Sequence, residues 1–367
     1  MITHLLSDTV QFAPEDQVLI LNSAADPIVA RALRSLRPDA LVIAEDNVAT
    51  LANGARSSSA HAVRHLPFHT ALTELPTATI DTALLNLLYQ PGKVWMLYAL
   101  SVAAHALKIG GKLYATGGKD RGILTLAKRM QELFGNVETL EISKGHRVLC
   151  SSKKAEIAPA LYPAHALSLF AASKLDEGTQ MLLEALAALP LCEDEQVVDL
   201  GCGAGYVGLY LAHRLPLGHV TMLDASLAAV AASELAVARG SVEGLRAVED
   251  EDDEEGEADD GDGIIDTRQR MQNVTVLPSD VAQAVSKLRF DLVATNPPFH
   301  QAGIQTREIA ERFIREAAQV LRPQGRLLLV ANRFLPYEPT LRACFRTVQE
   351  VHGNTRFKVL CATTPIL

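Results

Sequence analysis

The chain carries one pattern twice, and that repeat limits its fold more than any other feature. Gln17-Val-Leu-Ile-Leu-Asn22 aligns with Gln196-Val-Val-Asp-Leu-Gly201 at an offset of 179, and the same offset carries Glu45 onto Asp224. Asp81-Thr-Ala-Leu-Leu-Asn86 aligns with Asp291-Leu-Val-Ala-Thr-Asn296 at an offset of 210, and Val148-Leu-Cys150 with Val359-Leu-Cys361 at 211. The register moves where the second half holds a run of acids, so one insertion largely reconciles the two. A duplication is the economical reading.

Within each half, short apolar runs alternate with helix-like segments. In the first half, strands are predicted over 16–21, 40–44, 79–85, 112–116 and 147–150, and helices over 27–36, 93–109 and 122–134. Gly110-Gly111 reads as the stop of the second helix. Such an order builds a mostly parallel twisted sheet with helices on both faces, so the fold class is α/β, in two tandem copies. A length of 367 residues accommodates two such domains, each with its own core. They are placed at 1–155 and 160–367, joined by the polar segment Ser151-Ser-Lys-Lys-Ala-Glu-Ile-Ala-Pro159.

The residues with chemical character occur in one copy only. After its first strand the second half reads Asp199-Leu-Gly201-Cys-Gly203-Ala-Gly205, whereas the first reads Ile20-Leu-Asn22-Ser-Ala-Ala-Asp26. Glycines at a strand-to-helix turn let the backbone approach a ligand closely. The spacing departs from that of dinucleotide sites, and Asp199 ahead of it would repel a phosphate while suiting an ammonium group. Asp224 ends the next strand, where an acid accepts both hydroxyls of a ribose. The pair points to S-adenosylmethionine over NAD.

Later in the same half the apolar run from Phe290 to Ala294 is cut by Asn296-Pro297-Pro298, against Asn86-Leu-Leu-Tyr89 in the first half. Prolines have no N–H, so the carbonyls of Asn296 and Pro297 lack ladder partners and stand beside the Asn amide. Such a loop accepts hydrogen bonds from an amino group. Taken alone, it is equally a proline turn closing a strand. The first half shows that the fold survives without these prolines, which favours the functional reading.

Net charge is −9, but eleven acids and no base lie between Glu249 and Asp262; without them the chain carries +2. This insertion, at about 246–268, is expected to be disordered and without catalytic role, since it has little to bury and repels itself. Two stretches are basic: Lys93 to Lys154 holds eleven Lys/Arg against four Asp/Glu, and Arg307 to Lys358 ten against five. On one face they would make a footprint for phosphate backbones; otherwise they are solvated helix faces. Five scattered cysteines without Cys-x-x-Cys spacing suggest neither a disulfide framework nor a zinc site. No apolar run is long enough to span a bilayer, and no signal peptide is visible. A cytoplasmic monomer without metal is expected.

From about Ala160 onward the chain resembles the class I, Rossmann-like, S-adenosylmethionine-dependent methyltransferases. Asn296-Pro297-Pro298-Phe299 resembles the Asn-Pro-Pro-Tyr/Phe motif of those that methylate exocyclic amino nitrogens. Together with His300, Gln305-Thr306, Val330-Ala-Asn-Arg-Phe-Leu-Pro-Tyr337 and Arg356-Phe-Lys-Val359, it is similar to the bacterial small-subunit ribosomal RNA guanine-N2 methyltransferases of the RsmC type. That family also carries a degenerate N-terminal methyltransferase-like domain. The resemblance therefore implies two Rossmann-like domains, the first serving substrate binding and stability. A sister family acting on large-subunit RNA shares Asn-Pro-Pro-Phe-His and Val-Ala-Asn-Arg; Phe334-Leu-Pro-Tyr337 favours the small-subunit group. Leu175-Asp-Glu-Gly-Thr179 keeps the end of the family's ligand-covering loop, whose usual Pro-Gly-Val-Phe-Ser lead is missing here.

The resemblance implies S-adenosylmethionine as cofactor, with Asp199, Gly201, Gly203 and Gly205 at its methionine part, Asp224 at the ribose, Asp280 at the adenine amino group and Asn296 alongside. It implies that Asn296 and Pro297 accept the hydrogens of a guanine N2 and that Phe299 stacks on the base, with His300 and Arg333 near the RNA. Ribosomal RNA or the small ribosomal subunit is the implied partner. Three alternatives stay open on the residues alone. They are guanine-N2 methylation of large-subunit RNA, methylation of another amino nitrogen such as adenine N6 or a protein glutamine, and a non-enzymatic RNA-binding assembly factor.

Overall fold

In the computed structural model the described residues are 4–51, 63–157, 167, 175–240, 271–298 and 307–366, and the chain parts into two units between Leu167 and Ser168. Unit 1 contains β1 (Val18–Leu21), β2 (Leu41–Glu45), β3 (Arg64–Pro67), β4 (Ile80–Asn86), β5 (Leu107–Gly118), β6 (Glu138–Ser143) and β7 (His146–Ser152). Their order in the sheet is β3-β2-β1-β4-β5-β7-β6. β1 to β5 pair in parallel, and β7 runs antiparallel between β5 and β6. Unit 2 contains β8 (Gln196–Leu200), β9 (His219–Asp224), β10 (Val274–Pro278), β11 (Phe290–Thr295), β12 (Leu321–Asn332), β13 (Phe345–Gly353) and β14 (Phe357–Pro365). Its order, β10-β9-β8-β11-β12-β14-β13, is the same topology again. The chain adopts the expected α/β class, with two mostly parallel sheets in tandem.

The strands legible in the sequence are the central ones. β1 is buried along its whole length, and Val197, Val198 and Leu200 of β8 are each at most 1% exposed. Strands covered on both faces read as continuous apolar runs. The edge strands β3, β6 and β13 were not expected, because their residues face solvent: none in β6 is buried, and only Phe345 in β13. β6 and β7 are joined through Lys144-Gly145, both at positive φ (+47° and +84°), which suits the right-handed twist of a tight hairpin. The helix predicted to reach Ile109 ends at Ala106 instead. Gly110-Gly111 then lies inside β5, where its register with β4 breaks between Ile80 and Thr82. The equivalent break in unit 2 falls between Phe290 and Leu292.

In unit 2, alternate residues of each strand feed two cores. Helices Glu177–Ala188 and Tyr206–Arg214 bury Leu182, Leu186, Leu209 and Leu211 with Val197 and Met222. Helices Arg307–Val320 and Glu338–Cys344 bury Ile314 and Leu341 with Val198 and Leu223. In unit 1 the helix Lys93–Ala106 places Trp95 parallel to Phe68, ring centroids 5.6 Å apart.

The duplication extends to side chains. Gln17 N donates to Asp81 and Gln196 N to Asp291, each at 2.9 Å. Lys108 then pairs with Asp81, and Arg322 with Asp291. Each carboxylate ties the start of the central strand to its neighbour. Asp291→Ala is expected to lower stability by about 1–2 kcal/mol, read as an earlier urea midpoint at unchanged m-value.

Candidate active site

The strand order of unit 2 reverses at β8, which lies between β9 and β11. In open α/β sheets the crevice at such a switch point, outside the carboxyl ends of the strands, is where ligands bind. The segment from Asp199 to Gly205 leaves β8 at this edge, Asp224 ends β9, Asp280 follows β10 and Asn296 follows β11. Parallel pairing brings Asp199 into register with both Ala294 and Met222. Four motifs far apart in sequence thus meet on one edge.

The glycine loop turns sharply from β8 into the helix Tyr206–Arg214. Gly201, Gly203 and Gly205 all take positive φ (+82°, +56° and +94°), a region that L side chains rarely enter. At Gly205 a Cβ would also lie 2.9 Å from Met222 Cε, so the helix packs closely on β9 only because no side chain intervenes. The loop is fastened to β9 by Gly201 N and Cys202 N, which both donate to the Leu223 carbonyl, at 2.8 and 3.0 Å.

Two carboxylates face this loop without a Lys or Arg partner among the described residues. Asp199, 2% exposed, accepts Gly208 N at 2.8 Å. Burial pushes its pKa up to about 7, against the lowering effect of the Gly208 bond and with a further rise from Asp224. Asp224 accepts Gly203 N at 2.9 Å and Ser226 N at 2.8 Å, and burial raises its pKa as well. Each oxygen keeps a further lone pair. This donor set fits a ligand with positive charge and paired hydroxyls, as S-adenosylmethionine has, and disfavours a phosphate.

Asn296 is held from behind. Thr295 Oγ1 donates to the Leu200 carbonyl at 2.6 Å, tying the end of β11 to the end of β8. Asn296 Nδ2 donates to Asp176 Oδ1 at 3.2 Å and to Thr179 Oγ1 at 3.0 Å. Its Oδ1 is buried with no hydrogen-bond partner among the described residues. Buried acceptors are normally satisfied, and this one, at the carboxyl edge of the sheet, is left with capacity to accept from an incoming donor. Pro297 is buried and Pro298 exposed; Phe299 and His300 lie outside the described residues, as do the acidic insertion and residues 168–174.

The same edge of unit 1 is built alike and filled. Ala24 N donates to Glu45 as Gly203 N does to Asp224, both at 2.9 Å, and Asn47 N likewise corresponds to Ser226 N. Here, however, Gln90 Nε2 reaches the carbonyls of Asn22 at 2.9 Å and Asn86 at 3.2 Å, and Asn86 Nδ2 donates to Asp26 at 2.7 Å. Asn22, Asp26, Glu45, Asn86 and Gln90 are all buried. The crevice of unit 1 is occupied by its own side chains.

Other residues singled out from the sequence have internal partners. Asp280 pairs with Arg312 at 2.7 Å, and Gln283 donates to its other oxygen at 3.3 Å. Arg333, expected near the RNA, binds Glu350 at 2.7 Å and the Asn354 carbonyl at 2.7 Å at the β13–β14 turn, and its side chain stays 41% exposed. Cys202 is a buried thiol 3.4 Å from Ser233 Oγ, its pKa raised by burial, and packs. All five cysteines are free. The basic stretch in unit 2 is largely neutralised: Arg312, Arg315, Arg322, Arg326, Arg333, Arg356 and Lys358 each pair with an acid. Sequence reasoning missed Asp176, Gly178 and Thr179 as site residues. The signal for Asp176 was its place as a helix N-cap three residues before a Thr.

The methyltransferase small domain family model matches residues 164–267 and 265–361. The chain is 30% identical over 278 residues to ribosomal RNA small subunit methyltransferase C of Hahella chejuensis, covering 71% of each. It is 31% identical over 311 residues to the same protein of Pseudomonas putida, covering 79% of this chain and 81% of that one. Among solved structures, the 16S rRNA guanine-N2 methyltransferase RsmC of T. thermophilus, in complex with AdoMet and guanosine, superposes with a TM-score of 0.77 at 27% identity, covering 99% of this chain and 91% of that one. With this coverage, and with its glycine loop, Asp224 and Asn-Pro-Pro in the family's order on one sheet edge, the chain belongs to the ribosomal RNA small subunit methyltransferase C family.

Proposed function

We propose that the chain transfers a methyl group from S-adenosylmethionine to the exocyclic N2 of a guanine in small-subunit ribosomal RNA. The observation that carries this reading is the buried, unpartnered Oδ1 of Asn296 beside a crevice with two uncompensated carboxylates. The names of the relatives supply small-subunit ribosomal RNA, and the T. thermophilus protein supplies the N2 position and guanosine.

Asp199 and the glycine loop (Gly201, Gly203, Gly205) would hold the methionine part, Asp224 the ribose, and the Asp280 oxygen not taken by Arg312 the adenine amino group. When bound, S-adenosylmethionine supplies a methyl carbon already activated by its sulfonium, which leaves positioning as the protein's main task. A guanine N2 is a poor nucleophile because its lone pair is delocalised into the ring. Hydrogen bonds from its two hydrogens to Asn296 Oδ1 and the Pro297 carbonyl favour a tetrahedral nitrogen, a gain made mostly in the transition state. Phe299 stacking on the base would add about 1–3 kcal/mol. No strong base is needed, because the nitrogen becomes acidic once alkylated. A guanine within a paired stem must leave its stack to be reached.

Unit 1 would bind RNA and stabilise the chain without holding cofactor, since its crevice is filled. Exposed Lys93, Lys112, Lys119, Lys144 and Lys154 have no ion pair among the described residues, which makes unit 1 the better electrostatic partner for a phosphate backbone. The chain would act as a monomer in the cytoplasm; among the described residues no helix is long and apolar enough to cross a membrane.

Asp224→Ala is expected to weaken S-adenosylmethionine binding about 10–100-fold by calorimetry; an unchanged constant refutes its ribose role. The activity itself is tested by incubating ribosomal subunits with radiolabelled methyl donor and mapping the modified nucleotide. Label on a guanine N2 of small-subunit RNA is the expected result. Label confined to large-subunit RNA, to adenine or to protein would overturn it.

A further inference from the structure

Resting on the reading of Asn296 as acceptor for the substrate amine, we propose that Asp176 and Thr179 are positioning residues that fix which end of the Asn296 amide faces the substrate. A carboxamide is nearly symmetric in shape, and half a turn about its last torsion exchanges an acceptor for a donor. A donor at that place would repel the N2 hydrogens, so the orientation of this one group decides between attraction and repulsion.

The hydrogen bonds behind Asn296 have a single polarity. Asp176 is an acceptor only. Thr179 Oγ1 donates its one proton to Asp176 Oδ2, so toward Asn296 its oxygen also presents an acceptor. Two acceptors therefore converge on one end of the amide, at 3.2 and 3.0 Å. Only Nδ2, with two hydrogens, satisfies both, and Oδ1 is left buried with no hydrogen-bond partner among the described residues. With the amide reversed, its oxygen would face a carboxylate.

The fold makes this clamp rigid. Asp176 is the N-cap of the helix Glu177–Ala188 and accepts Thr179 N at 3.0 Å, so both acceptors are fixed to the first turn of a helix packed on the sheet. Thr179 is 8% exposed. A Cβ on Gly178 would stand 3.3 Å from Asn296 Nδ2, closer than ordinary contact, so a residue without a side chain lets the turn approach the amide. The Asp-x-Gly-Thr order thus supplies a cap, a gap and a hydroxyl to one partner.

The test uses the full chain with ribosomal subunits and S-adenosylmethionine. Thr179→Val keeps the shape but removes the acceptor. It is expected to lower kcat about 10–100-fold, with KM for the RNA and the calorimetric S-adenosylmethionine constant within about twofold of the parent. Thr179→Ser, which restores the hydroxyl, should recover most of the lost rate. Asp176→Asn retains the cap yet presents a donor to Thr179, reversing the polarity, and should reproduce the kcat loss. An independent readout is hydrogen exchange of the Asn296 side-chain amide in nitrogen-15 spectra, assigned by its absence in Asn296→Ala. It should be slow in the parent and in Thr179→Ser, and fast in Thr179→Val. Parental kcat and slow exchange in Thr179→Val overturn the proposal, as does a rate loss matched by loss of cofactor affinity. If Asn296→Ala is inactive while both clamp variants are active, only the positioning role fails. If Asn296→Ala turns over normally, the underlying reading of the site fails.

Discussion

Asn296→Ala should lower kcat for methyl transfer about 10²–10³-fold, the loss typical of removing one preorganised group aimed at developing charge. The affinity for S-adenosylmethionine should stay near that of the parent. The expectation follows from geometry: Nδ2 is committed to Asp176 and Thr179, while Oδ1 is buried and unpaired. Nothing within the described protein uses that oxygen, so its removal leaves the fold intact. Alanine relieves a buried unsatisfied acceptor but also removes the Nδ2 bonds to Asp176 and Thr179, so the variant should be destabilised by no more than about 1–2 kcal/mol. Unimpaired turnover refutes the catalytic assignment; loss of cofactor binding in parallel assigns Asn296 to the cofactor instead.

Asp199→Asn should separate binding from stability in opposite directions. Asp199 is 2% exposed, and burial raises its pKa to about 7. Because the folded value lies above the unfolded one, the native state holds an extra proton between about pH 4 and pH 7. The group's contribution to stability is complete below about pH 4 and is lost as pH rises through about 7. Without cofactor the chain should therefore melt progressively earlier from about pH 5 to pH 8. Asn at this position accepts Gly208 N equally well and carries no charge. The variant should flatten that slope and gain up to about 3–4 kcal/mol at pH 8. The cationic amino group of S-adenosylmethionine supplies the missing countercharge, so parental affinity should rise with pH over the same window. In the variant it should fall about 10²-fold and lose its pH dependence. A pH-independent parental binding constant sinks the assignment, and so does a variant that melts earlier at pH 8.

Much of the site was legible because its parts are local motifs. The Gly201-x-Gly203-x-Gly205 run announces positive φ wherever it lies, and Asp224 at the end of an apolar run announces a carboxylate at a strand's carboxyl end. Asp176 and Thr179 were not legible as site residues. They lie 120 and 117 residues before Asn296, and in sequence they look like an ordinary helix cap. The partners of Arg333 were not legible either: a cation at a strand end looks unpaired until Glu350 and the Asn354 carbonyl are placed against it. Edge strands such as β6 were missed because only Leu140 and Ile142 are apolar there and only Leu140 packs on the core, too short a period to stand out in the sequence.

By itself the sequence determined the α/β class, the duplication and the half that keeps the glycine loop and the Asn-Pro-Pro segment. These are properties of composition and spacing along the chain, which the backbone reads locally. Only the tertiary structure decided which end of the Asn296 amide is free and that the basic residues of unit 2 are mostly paired. It also decided that Asn86, Gln90 and Asp26 close the crevice of unit 1. Each of these depends on hydrogen-bond and charge partners brought together by strand register, and a donor or acceptor has no defined role until its partner is in place.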